Sequence, residues 1–402
     1  MSDLHFKNEN QSKWNADIVL KALYEDIIKC QREFQLNLDL ILVSGDISFS
    51  SQPDEYRLAQ AFFSDLLIAT KVNHKERLFI VPGNHDVNWN KITGVSELII
   101  SSVSKRENVE KLLIDESGRK LILTKFEDYI NFIRDFFQDT SHIENDFYFF
   151  VRSEEIDGQK LAILGLNSAW AVGKANSNEK IVLGEWSVRN ALDKVKSADL
   201  YIALMHHPFE CMYDFDSEAC SDLLMQKNAI ILRGHKHRSA IEERQTPSGK
   251  ILTIAAGASY ESRKDRNGYN FVMLNLANKR FTIFPRIWSN SGSGFWTEDN
   301  ISFRNIDDGR YDFNFDLHTL RKYKNKSLQA DDDIQIENIP LGKSWSYNYA
   351  QNAVQRNLMP GDVIKELPKH LVKEVLVQMN QLYLHNDATL YSRFLKELLN
   401  VK

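Results

Sequence analysis

Short apolar runs bounded by polar or turn residues recur along the first 290 positions and read as buried strands. They are Leu38–Ser44, Arg77–Val81, Lys160–Leu166, Leu200–Met205, Ala229–Leu232, Ile251–Ala256, Asn270–Leu276 and Arg280–Ile287. Helical spacing separates the early ones. Ala16–Phe34 puts Val19, Leu20, Leu23, Tyr24, Ile27 and Ile28 on one face. Pro53–Thr70 follows Ser51 as a cap and carries Leu58, Phe62, Leu66 and Leu67 on one stripe. Helix alternating with buried strand predicts an α/β layered fold. The later strands have fewer helices between them, which predicts a sheet system that is partly antiparallel or mixed.

Two segments break this rhythm. Residues 87–145 are mixed in charge and mostly helical in pattern, most clearly over Phe126–Phe137, and read as a helical insertion over one face. After about Ser289 the composition changes. Gly292–Gly294 and Asp331–Asp333 look like linkers, and Asp362–Leu384 and Ala388–Val401 are amphipathic helices, the first kinked or broken at Pro368. The expected division is a catalytic domain over 1–290 and an accessory region over 291–402, helical from about 362.

Composition narrows the class. The 402 residues are 43% hydrophobic and 26% charged, ordinary for a folded chain with a substantial core. The net charge of −5 argues against a nonspecific nucleic-acid coat, which relies on many cations, but leaves room for a local basic groove. No apolar run approaches the ~18 residues of a membrane span, and the start, Met1 to His5, has neither the basic nor the apolar region of a signal peptide. Cys30, Cys211 and Cys220 cannot all pair and lack metal-type spacing, so a reduced, cytoplasmic setting is expected.

The histidines carry the chemistry. Six of the 11 fall in four short motifs, each at the start of the chain or just after an expected strand, where α/β sheets collect ligands. In Asp3-Leu4-His5, alternate residues of an extended segment face one way. Gly45-Asp46 puts a carboxylate at a strand end, where it needs a partner or a metal. Pro82-Gly83-Asn84-His85-Asp86 offers a tight turn, an amide oxygen and an imidazole. His206-His207-Pro208 puts two imidazoles on opposite sides of an extended chain, so one is expected as a ligand. Gly234-His235-Lys236-His237 spaces two imidazoles for chelation. Each motif alone also reads as an ordinary turn, cap or packed histidine. Five in this order do not.

This series resembles the motif set of the calcineurin-like metallophosphoesterases, in order and rough spacing, over residues 1 to about 290. The resemblance implies a four-layer α/β/β/α sandwich with two divalent metals at the sheet edges. One metal would take Asp3, His5 and His237, the other Asn84, His206 and His235, with Asp46 bridging. Such ligands suit Mn, Fe, Zn or Ni/Co without selecting one. Two ions about 3.5–4 Å apart would clamp a phosphoryl group and lower the pKa of a bound water toward ~7, giving a hydroxide that attacks phosphorus in line. His85 would protonate the leaving oxygen. Asp86 would shape the turn. Family members carry a buried strand before the first motif, whereas only Met1 and Ser2 precede Asp3. Either the start lies upstream or the chain lacks that strand.

Ile47-Ser48-Phe49 after Gly45-Asp46, and Asp86 closing the third motif, depart from the phosphoprotein phosphatase pattern. The sequence looks closer to the bacterial cyclic-nucleotide phosphodiesterase branch. A dinuclear-metal phosphodiesterase acting on a nucleotide, foremost a 3′,5′-cyclic nucleotide, is the leading expectation. Asn167 and Trp170 would line the pocket, Trp170 either stacking a base or packing in the core. His207 would touch substrate, and Arg233, Lys236 and Arg238 would bring positive charge near the phosphate. A metal-dependent nuclease is the alternative, marked by a basic groove such as the loop at Arg263-Lys264-Asp265-Arg266. A third reading makes the chain a subunit of a multi-protein system, host defence being one setting. Residues 325–402 would then dock a partner or a second copy through Val363, Ile364, Leu367, Leu371, Val375, Leu376 and Met379, followed by Leu390, Tyr391, Phe394, Leu395 and Leu398.

Overall fold

A computed structural model describes residues 1–314 except 8–9, 73, 140–141, 143, 175–179, 263–265, 276–279 and 304–308, together with Leu376 and Met379. The chain divides into two compact units, Met1–Lys324 and Asn325–Lys402. Every element named below lies in the first. The expected C-terminal helices and their stripes fall outside the described residues, save Leu376 and Met379, which are helical and buried.

Alternating burial builds two stacked sheets. The larger joins β3 (Phe149–Ile156), β4 (Gln159–Leu166), β5 (Leu200–Leu204), β6 (Ile230–Arg233), β7 (Ala240–Thr246) and β8 (Gly249–Ala255) in the order β3-β4-β5-β6-β8-β7. Its centre is parallel and both edges are antiparallel hairpins. One face of β4, β5, β6 and β8 presents Leu161, Leu200, Ile202, Ile230, Leu252 and Ile254 to Phe281 and Ile283 of the opposite layer. The alternate residues Ala162, Leu164, Ala203 and Ile231 join the other core. There α7 (Glu185–Asp193) lies against β3 and β4, and α8 (Asp214–Met225) against β8. The second β layer comprises the parallel pair β1 (Ile41–Val43) and β2 (Leu78–Ile80), and the antiparallel group β9 (Gly268–Asn275), β10 (Arg280–Ser289), β11 (Phe295–Glu298) and β12 (Tyr311–Asn314). Phe79 packs inward on Phe150, Ile163 and Leu204.

Outside that layer lie α1 (Asn10–Glu33) and α2 (Pro53–Thr70). Asp26 of α1 accepts from Arg286 Nε and Nη2, at 2.8 and 2.6 Å, and from the Tyr269 hydroxyl at 2.7 Å. Trp296 Nε1 donates to Val19 O. The result is the expected α/β/β/α sandwich. The helical segment over 87–145 appears as α3 (Gly94–Ser102), α4 (Arg106–Ile114), α5 (Glu116–Leu123) and α6 (Glu127–Phe137), with Phe132 stacked on Tyr56 of α2.

Several expectations need correction. β3 and β7 escape the search for apolar runs because they are edge strands with charged outer positions, Arg152, Glu154, Glu242 and Arg244 among them. The turn Asp157-Gly158, with both φ angles positive, marks the β3–β4 hairpin and is readable in sequence. Gly292–Gly294 is no linker. It lies in the β10–β11 turn, and strands after residue 290 pair with β10, so the first unit runs past 290. No described helix is long and apolar enough to cross a membrane. All three cysteines are buried thiols.

Candidate metal centre

The loops that follow β1, β2, β5 and β6 meet at one edge of the sandwich. The N-terminal segment joins them, running beside the loop after β1. Asp3 N donates to Gly45 O at 2.9 Å, and Leu4 N to Asp46 O at 2.8 Å. Gly45, at φ +99°, sits where a Cβ would come within 2.7 Å of His206 Nδ1. A Cβ on Gly83 would overlap the Asp46 carboxylate. Both positions need glycine because the loops approach so closely.

The side chains converge through kinked backbone and not through extended segments as expected. Asp3, His5, Asp46, His235 and His237 have φ of 54°, 46°, 54°, 70° and 51°. Left-handed conformations cost non-glycine residues about 1–3 kcal/mol each and collect at functional sites.

Each aspartate is held by one oxygen and offers the other. His235 N donates to Asp3 Oδ2 at 3.2 Å, and Asp3 Oδ1 lies 3.1 Å from His237 Nε2. His5 Nε2 is 3.3 Å from His237 Nε2. In parallel, His85 N donates to Asp46 Oδ1 at 2.8 Å, while Asp46 Oδ2 lies 3.1 Å from His206 Nε2. The Asn84 amide oxygen is 3.2 Å from His206 Nε2 and 3.1 Å from His235 Nδ1. Asp3, His5 and His237 therefore form one donor group and Asp46, Asn84, His206 and His235 a second. Asp3, Asp46 and His206 link them, with donor atoms within 4.8 Å of one another.

Residues around the donors fix the rings. A carbonyl can only accept, so the contact of His206 Nδ1 with Ser44 O (2.7 Å) places the proton on Nδ1 and turns the Nε2 lone pair inward. Glu261 Oε2 does the same for His237 Nδ1 at 2.7 Å. Burial opposes charge on His206, but the Asp46 carboxylate outweighs it and lifts His206 to about 9. Burial likewise opposes charge on His237, and Asp3 lifts it to about 9. Burial holds His5 and His235 down to about 4. Burial also opposes the Asp46 charge, yet His206 keeps its carboxyl well below the usual range. Inward-facing imidazole, amide and carboxylate donors around two points are what divalent cations take, and the residues fit such ions.

His85 also reaches this set, with a ring nitrogen within 4.8 Å of donor atoms of His5 and Asp46. Its Nδ1 lies 2.7 Å from Phe49 O, which directs Nε2 elsewhere, and its ring is 4.7 Å from that of His5. Asp86 does shape the turn. It accepts the amides of Gly83, Ile47 and Ser48 and the Tyr56 hydroxyl, tying the loops after β1 and β2 together.

The residues expected to touch substrate end elsewhere, apart from His207. Trp170 is fully buried against Tyr148, and its Nε1 donates to Leu183 O, so neither face can stack a base. Asn167 Nδ2 donates to Phe147 O, ahead of β3, and its Oδ1 accepts Ala169 N within its own turn. Arg233 pairs with Glu242 at 3.0 Å and lines a cavity of about 550 Å³ between the sheets with Leu42, Leu232 and Phe271. His207 is buried beside His235 with Nδ1 3.0 Å from Ser168 Oγ. Glu261, Ser44 and the Phe49 carbonyl went unforeseen. Two of them act through backbone oxygens, which carry no residue-type signal.

The family model described as calcineurin-like phosphoesterase matches residues 1–239. The chain belongs to that family, and is accordingly a phosphoester hydrolase by class. No curated protein matches the sequence. Among solved structures it is similar to a hypothetical protein from Thermus thermophilus, at 11% identity over 73% of this chain and 93% of that one, with a TM-score of 0.31.

Proposed function

We propose that the protein is a two-metal phosphodiesterase acting on a nucleotide-type phosphodiester. The observation that carries this reading is the convergence of imidazole, amide and carboxylate donors from four strand ends and the N-terminal segment, with His85 within reach of His5 and Asp46. Asp3, His5 and His237 would hold one divalent ion, Asn84, His206 and His235 the other, and Asp46 would lie between. When bound, such ions supply Lewis acidity toward phosphoryl oxygens and an activated water.

The chain's own part is positioning and proton transfer. The backbone amides on Asp3 and Asp46 pre-orient the carboxylates, so little order is lost when substrate arrives. Phe49 O fixes the His85 ring by its Nδ1 proton, and a protonated His85 delivers its Nε2 proton to the ester oxygen as the P–O bond breaks. Water adds to phosphorus, and a phosphomonoester and an alcohol leave.

A metal analysis with a substrate panel tests this. Wild type, His85→Ala and Asp46→Ala would be given Mn²⁺ with bis-p-nitrophenyl phosphate and cyclic AMP. Turnover of neither diester removes the proposal. A second reading, hydrolysis of nucleic acid, is favoured by one feature, the arginines beside His237.

A further inference from the structure

A cavity of about 380 Å³ opens next to the donor groups and shares His237 with them. Its lining includes Arg238, Ser239, Arg266, Asn267 and Asp299. The volume is typical of small-ligand sites, which span about 300–1,000 Å³. Arg238 and Arg266 are both exposed, and neither has an ion-pair partner among the described residues. The carboxylate of the lining is already engaged, since Asp299 Oδ1 accepts the amides of Ile301 and Ser302 at 3.1 and 2.8 Å. Two arginines without an ion-pair partner among the described residues thus line a pocket that shares His237 with the donor groups. Guanidinium favours phosphate because its planar fork matches two oxygens at once.

We infer that this pocket binds a second phosphate group of the substrate, so that the enzyme prefers an oligonucleotide to a cyclic mononucleotide. The inference rests on the phosphodiesterase reading above and sharpens its substrate class. A cyclic mononucleotide has one phosphate, which the donor groups would take, and it leaves Arg238 and Arg266 unused. A strand with a further phosphate one sugar away engages both sites. The net charge of −5 does not weigh against this, because the cations are local.

The experiment compares the full-length wild type with Arg238→Ala/Arg266→Ala. In Mn²⁺, kcat/KM would be measured for a 5′-phosphorylated dinucleotide and for bis-p-nitrophenyl phosphate. The expected result is a fall of about tenfold or more in the ratio of the two, carried by KM. An unchanged ratio overturns the inference. Binding is read separately, by anisotropy of a fluorescein-labelled 5′-phosphorylated dinucleotide with the chelator-treated proteins. The double variant should bind it about tenfold more weakly and show a shallower salt dependence. Equal binding of phosphorylated and 5′-hydroxyl dinucleotides by wild type also overturns the inference. If wild type hydrolyses no diester, the reaction reading fails while the anisotropy still decides the pocket.

Discussion

At the scale of single residues, His85 and Asp46 separate two jobs. The His85 ring comes within reach of His5 and Asp46, but Phe49 O anchors its Nδ1 and neither proposed ion is assigned to it. His85→Ala should therefore retain its metal by elemental analysis and lose about 10²–10⁴-fold in kcat. Asp46 stands where both donor groups meet, so Asp46→Ala should lose metal and turnover together. Lys125 offers a different test. It is fully buried, its Nζ donates to Trp170 O and Val172 O, and burial lowers its pKa to about 7. A neutral amine still has two N–H groups for those carbonyls. Between pH 7 and about 10 the unfolded chain binds a proton that the folded chain does not, so stability rises with pH. His206 and His237, raised to about 9, lose stability over the same interval in both proteins, so urea unfolding at pH 7 and 9 should show wild type gaining about 2 kcal/mol relative to Lys125→Met at the higher pH.

At the scale of elements, α1 is fastened to the outer β layer by a buried ion pair. Asp26 and Arg286 are both about 5% exposed, with N–O contacts of 2.6 and 2.8 Å. Removing one partner leaves the other charge buried and alone, so Asp26→Ala should cost about 3–5 kcal/mol in chemical denaturation. The runs of apolar residues identified the central strands because both of their faces are covered. They missed β3, β7, β11 and β12, whose neighbours or exposure decide their state more than their own composition does. The donor segments were legible as residue types, since Asp3, His5, Asp46, Asn84, His206, His235 and His237 do come together. Their left-handed backbone was not, because those φ values are imposed by contacts between loops.

At the scale of the whole molecule, the candidate centre bridges the two sheets. Asp46 and Asn84 follow β1 and β2 of one layer, and His206 and His235 follow β5 and β6 of the other. A ligand that binds only the folded arrangement stabilises it by mass action, by about 3 kcal/mol at 100 times its Kd. Adding Mn²⁺ to chelator-treated protein should therefore raise the melting temperature by several degrees in wild type, and leave Asp46→Ala unmoved.

Local order in the sequence was sufficient for the alternation of helix and strand, the layered fold class and the chemical types gathered at the strand ends, because burial periodicity and turn residues act over a few positions. Packing between distant segments decided the rest. It turned Trp170 and Arg233 away from the site, brought Glu261 and the Ser44 and Phe49 carbonyls onto the imidazoles, and set Arg266 in the cavity that His237 and Arg238 line. Those outcomes depend on which atoms meet across long stretches of chain, and side-chain direction there follows from excluded volume and charge in the assembled layers.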